Sequence, residues 1–132
     1  MTDVSRGLRQ TQSSVYDMIG GEAALAPVVD DFYDRVLADL ELRGFFAGAN
    51  LTRLKGRQTE FLAAALGGPL PYTGPSLRDA HRGRGIEQKH FDLVAGHLVA
   101  ALNAAGVPYG IIDQIAGLIT PLASQIVSSG PR

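Results

Sequence analysis

His81 stands where a metal ligand is wanted. The stretch Gly67-Gly68-Pro69-Leu70-Pro71-Tyr72-Thr73-Gly74-Pro75 cannot sustain a long helix. One short capped turn follows, Ser76-Leu77-Arg78-Asp79-Ala80-His81, and then Arg82-Gly83-Arg84-Gly85. An imidazole displayed on a short turn between two apolar helical regions is what an iron-binding pocket requires. The other histidines, His90 and His97, sit two turns apart on one helical pattern. A metal-binding pair on a helix uses a spacing of about three or four, with a third ligand nearby. No such motif is present, so both read as structural or solvent-facing. The chain has no cysteine, which removes thiolate ligands, disulfides and a cysteine nucleophile.

Two further polar side chains interrupt apolar stripes. Leu54, Gln58, Phe61, Leu62 and Ala65 recur at steps of three and four, with Gln58 as the polar member. A glutamine on such a face finds a partner or costs roughly 1–3 kcal/mol; water at the edge of the stripe would serve as well. Tyr33 interrupts the stripe of Leu25, Val28, Val29, Phe32, Val36 and Leu37 in the same way. Together Tyr33 and Gln58 can form a polar island facing His81 across an apolar cavity. That suits a bound diatomic molecule carrying partial negative charge.

The elements that must position these residues are helical throughout. Residues 1–13 read as a flexible tail carrying Arg6 and Arg9, residues 14–128 as one domain, and residues 129–132 as a C-terminal tail. Ser14-Val15-Tyr16-Asp17 is a capping pattern for a short helix that Gly20-Gly21 ends. A second helix spans about Glu22 to Ala38; Pro27 either kinks it or delays its start. A helical turn is expected over Glu41–Phe46. Asn50 caps a helix from Leu51 to Leu66 that Gly67-Gly68 closes. A fourth long helix covers Glu87–Ala104, with Phe91, Val94, Ala95, Leu98 and Leu102 on one face. The last is expected to run from Tyr109 to about Val127, with Ile111, Ile115, Leu118, Ile119, Leu122 and Ile126 on one side and a bend where Pro121 meets Gly117. No strand pattern appears, and the class is all-α.

With 132 residues, 45% hydrophobic and 19% charged, and a net charge of -1, the chain is long enough for a real core. It offers no electrostatic case for nucleic acid or an anionic membrane. Its apolar runs fall short of the roughly 18 residues a membrane span needs. Met1 to Gln12 carries no apolar signal core, which fits a cytoplasmic protein.

The chain resembles the group I truncated hemoglobins. The resemblance rests on Ser14-Val15-Tyr16-Asp17-Met18-Ile19-Gly20-Gly21, on Asp30-Asp31-Phe32-Tyr33-Asp34-Arg35-Val36-Leu37-Ala38-Asp39, on Phe45-Phe46 and on Leu54-Lys55-Gly56-Arg57-Gln58. It continues through Ala63-Ala64-Ala65-Leu66-Gly67-Gly68-Pro69 with Tyr72-Thr73-Gly74, then His81-Arg82-Gly83-Arg84-Gly85-Ile86 and His90-Phe91. It implies a truncated globin fold, a two-over-two helical sandwich enclosing non-covalently held heme b (iron protoporphyrin IX). The residue matching His81 is the family's iron ligand, and the match to Phe46 packs on the porphyrin. The matches to Tyr33 and Gln58 are its hydrogen-bond donors to dioxygen. Leu54 occupies the place a histidine often takes in longer globins. Phe61, Leu62, Tyr72, Leu77, Ile86, Phe91, Val94, Leu98 and Ile119 complete the expected heme contacts. Arg57, Arg53, Arg78 and Arg82 are candidates for the heme propionates, Arg57 foremost. The family's tunnel-gate position is often Phe, and here it is Leu62; Pro27 is a second departure.

The expected activity is tight binding of dioxygen and conversion of nitric oxide to nitrate. The chain has no flavin or nicotinamide fingerprint, so an unidentified reductase would supply electrons. The protein would act as a monomer or weak homodimer. Oxygen storage or gas sensing without turnover uses the same pocket, and a cofactor-free helical bundle is the remaining alternative.

Overall fold

The computed structural model describes residues 14–74, 76–81 and 83–127; the side chains of Leu77 and Asp79 lie outside that description. Both expected tails, residues 1–13 and 129–132, therefore fall outside the described residues. The ordered elements are α1 (Val15–Ile19), α2 (Glu22–Ala38), a 3-10 turn (Arg43–Phe46), α3 (Leu51–Ala65), α4 (Leu77–His81), α5 (Gln88–Ala104), α6 (Tyr109–Ile119), a second 3-10 turn (Thr120–Leu122) and α7 (Ala123–Ile126). No strand occurs among the described residues. Helix α2 packs on both α3 and α5, and α5 packs on α6, giving the two-over-two sandwich. Leu25, Val29, Val36, Leu42, Leu102 and Ile115 fill its centre and are fully buried. No described helix is long and apolar enough to cross a membrane.

Local chemistry sets the ends of these helices. The Ser14 hydroxyl accepts the Asp17 N–H at 3.1 Å, and the Asn50 side chain accepts the Arg53 N–H at 3.1 Å, each satisfying a donor the first turn leaves open. Helix α2 begins at Glu22 and runs through Pro27 to Ala38, so Pro27 does not delay its start. The missing N–H falls near the N-terminus, and neighbouring turns carry the helix across it. After α3, Gly67 adopts φ +93°, and a β-carbon there would lie 2.8 Å from that of Ser14. This close approach is held by the Tyr16 N–H donating to the Leu66 carbonyl at 2.9 Å, which ties α1 to the end of α3.

The last helix departs from its sequence pattern. The α-helix stops at Ile119, a 3-10 turn covers Thr120–Leu122, and only Ala123–Ile126 resumes α geometry. Pro121 has no N–H for the carbonyl of Gly117, and the chain tightens there instead of only bending. The phase of the stripe also shifts. Ile112 and Ile115 are buried, whereas Leu118 is 44% exposed.

A contact between α5 and the end of α2 fixes the corner leading to the first 3-10 turn. His97 Nε2 lies 2.8 Å from a carboxylate oxygen of Asp39, the residue that closes α2. The other Asp39 oxygen accepts the Glu41 N–H at 2.9 Å. These bonds, that from His97 foremost, hold the Asp39 carboxyl below its ordinary value of 3.8. A carboxylate with a lowered folded pKa adds stability above its unfolded value and loses it as pH falls through the folded value. His97→Ala should lower Tm by a few degrees at neutral pH. The gap to the parent should narrow as pH drops below 3.8; a thermal-melt difference that is the same at neutral and strongly acidic pH would contradict the contact's role.

Candidate functional site

A cavity of about 330 Å³ opens between the helix pairs, within the roughly 300–1,000 Å³ range of cofactor sites. Its wall is built from every major element. Helix α2 supplies Phe32, Tyr33 and Val36, the first 3-10 turn Phe45 and Phe46, and α3 Leu54, Arg57, Gln58, Phe61 and Leu62. Tyr72 enters from the Pro/Gly loop, His81 from α4, and Arg84 and Ile86 from the loop after it. Phe91, Val94 and Leu98 come from α5 and Ile119 from α6. The Leu77 side chain and Arg82 lie outside the described residues. Arg53 and Arg78 do not line the cavity, while Arg57 does.

Several wall residues were not singled out from the sequence. Leu122 and Ile126 lie beyond the Pro121 break, where α7 packs against α4 and turns them to the cavity. The signal existed in the apolar stripe, but the break decides which way it faces. His90 also lines the wall. Its Nδ1 accepts the Glu87 N–H at 2.9 Å, capping α5, and its ring meets Phe45 edge to face at 4.9 Å. A histidine standing in for a carboxylate cap has no simple sequence signature. His97 lies outside the wall, on Asp39.

Tyr33 is only 4% exposed. Its ring is held edge to face between Phe32 at 5.1 Å and Phe46 at 5.8 Å. Among the described residues its hydroxyl makes no hydrogen bond to a protein group. Burial pushes that hydroxyl up to about 12, so at neutral pH it remains a protonated donor. A buried hydroxyl without a partner costs roughly 1–3 kcal/mol. Phe61 and Tyr72 meet edge to face at 5.4 Å on another part of the wall. The cavity is therefore mainly apolar, with the His81 imidazole on a short turn, the Tyr33 phenol, the Gln58 amide and two exposed guanidiniums, Arg57 and Arg84, in its wall. No carboxylate lines it among the described residues.

Comparison with known proteins places this arrangement. Residues 14–128 match the bacterial-like globin family. The chain belongs to the bacterial-like globins. It is 55% identical to the group 1 truncated hemoglobin GlbN of Mycolicibacterium paratuberculosis, over 97% of this chain and 94% of that protein. It is 36% identical to the group 1 truncated hemoglobin of Tetrahymena pyriformis, over 80% of this chain and 88% of that one. The crystal structure of the Tetrahymena pyriformis truncated hemoglobin in its Fe(III) form superposes with a TM-score of 0.85 at 32% identity, covering 89% of this chain and all (100%) of that one. The hemoglobin of Chloroflexus aurantiacus gives a TM-score of 0.79 at 35% identity, over 89% of this chain and 100% of that one.

A globin of this fold is a heme protein, and the residues present fit heme b. The apolar wall suits the porphyrin, His81 offers the imidazole an iron requires, Arg57 and Arg84 suit its two carboxylates, and the buried Tyr33 hydroxyl is a donor in the same wall. Replacing His81 by Ala should abolish stable heme binding. A variant purified with a full Soret band, without added imidazole, would move the iron ligand elsewhere.

Proposed function

We propose that this globin binds dioxygen tightly and converts nitric oxide to nitrate in the cytoplasm, as a monomer or weak homodimer served by a separate electron-donating reductase. One nitric oxide, one dioxygen and one electron make one nitrate, so a reductant must act once per turnover. Heme, when bound, supplies the iron that takes up dioxygen and the redox chemistry.

The chain's own residues do the rest. His81 holds the iron through one ring nitrogen. The Tyr33 hydroxyl, buried and without a protein partner among the described residues, is the observation that carries the reading. As a donor to a diatomic ligand with partial negative charge, it makes a bond worth roughly 1.5–3 kcal/mol. At about 1.4 kcal/mol per factor of ten, release of dioxygen slows by roughly 10- to 100-fold. Slow release is poor for delivery and good for reaction with a second molecule. Gln58, in the same cavity wall, orients the phenol or donates as well. The surrounding Phe32, Phe46, Leu54, Phe61 and Leu62 exclude water and admit apolar gases.

Oxygen storage or sensing would use the same side chains. The test is nitrate yield when oxygenated protein meets nitric oxide, followed by sustained turnover with a reductase. Stoichiometric nitrate is expected, and its absence would favour storage or sensing. Tyr33→Phe should raise the oxygen dissociation rate at least about tenfold; a stopped-flow rate equal to the parent's would remove Tyr33 from this role.

A further inference from the structure

Arg84 was read from the sequence only as part of a family stretch, yet it touches both the cavity and the turn that carries His81. It stands between Gly83 and Gly85, whose φ angles are +71° and +74°. A β-carbon on either would meet nothing within 4 Å. Close packing therefore does not explain these glycines; the left-handed backbone does. That double reversal returns Arg84 onto α4. Its N–H donates to the His81 carbonyl at 3.4 Å, and its Nε donates to the Ala80 carbonyl at 2.8 Å. The guanidinium thus occupies a C-terminal carbonyl of α4, the position a cation suits.

The same side chain lines the cavity beside Ala80, His81 and Ile86. A guanidinium has five N–H donors in a planar fork, and Nε is the one placed on Ala80. No ion pair engages Arg84 or Arg57 among the described residues, whereas Arg35 pairs with Asp31, Lys55 with Asp30 and Lys89 with Glu41. The two cations at the cavity meet no carboxylate among the described residues. They await anions from elsewhere.

We propose that Arg84 is a positioning residue with two ends. Nε pins the turn that presents His81, and the Nη nitrogens take a carboxylate of the bound cofactor. Seating of the cofactor and orientation of its imidazole ligand are then linked through one side chain. The proposal rests on the heme reading of the cavity.

The test uses the full chain with Arg84→Gln and Arg84→Lys, each loaded either with heme or with heme dimethyl ester, whose carboxylates are blocked. Transfer of cofactor to excess apomyoglobin gives the loss rate. Resonance Raman of the ferrous protein gives the iron–histidine stretching band. With heme, Arg84→Gln should lose cofactor roughly 3- to 10-fold faster than the parent. With the ester, which removes the carboxylate contact from both proteins, the ratio of the two rates should fall well below its value with heme. Arg84→Lys should recover part of the retention, because it keeps the charge. Its iron–histidine band should stay displaced as in Arg84→Gln, because one ammonium cannot hold the Ala80 carbonyl and a carboxylate in the guanidinium's geometry. An unchanged loss rate in Arg84→Gln, or equal acceleration with heme and ester, would overturn the carboxylate contact. A parental iron–histidine band in both variants would overturn the pinning. A parent lacking that band altogether would overturn the heme reading itself, a result no comparison of variants imitates.

Discussion

The structure depends on an apolar cavity that the chain does not fill with its own side chains. The cavity opens to solvent on one side, so apolar surface that would otherwise be buried stays in contact with water, at a cost in hydrophobic stabilisation. Heme b would turn the deficit into core, since Phe46, Phe61, Leu62, Phe91, Val94 and Leu98 offer its flat apolar body an apolar wall. Folding and cofactor binding are thereby linked, as for any ligand that binds only the native state.

The polar groups follow from the same constraint. In a wall this apolar, each hydrogen-bonding atom is expensive unless it meets a partner. Tyr33 is held rigidly by its two aromatic neighbours, and its phenol stays a donor because burial opposes its ionisation. A hydroxyl on a ring held in this way would meet a ligand with little ordering cost. Among the described residues, the cavity's charged lining groups are the exposed cations Arg57 and Arg84, which suits a cofactor with two carboxylates. Leu62 is 3% exposed and belongs to the packed core as well as to the cavity wall.

Much of this was legible in the sequence because it is local. Helix spans, the Asn50 and Ser14 caps and the isolated turn at His81 each follow from spacing, capping residues or glycine pairs. Tyr33 and Gln58 stood out because they break apolar stripes. What escaped depends on tertiary context. Pro121 signalled a disturbance, but whether the helix bends or tightens depends on the packing of α7 on α4. Leu118 fits the helical period yet faces outward, since several phases of a strongly apolar helix look alike. His90 as a helix cap and Arg84 as a clamp on α4 use side chains in uncommon local bonds. Arg53 and Arg57 are indistinguishable by type and differ only in which reaches the cavity.

The account is tested most directly by titrating apoprotein with heme while following both the Soret band and thermal unfolding. It predicts a single equivalence point at one heme per chain, with a large rise in Tm that saturates at the same point. An apoprotein that already melts cooperatively at the temperature of the heme-treated sample, with no saturable Soret change, would contradict it.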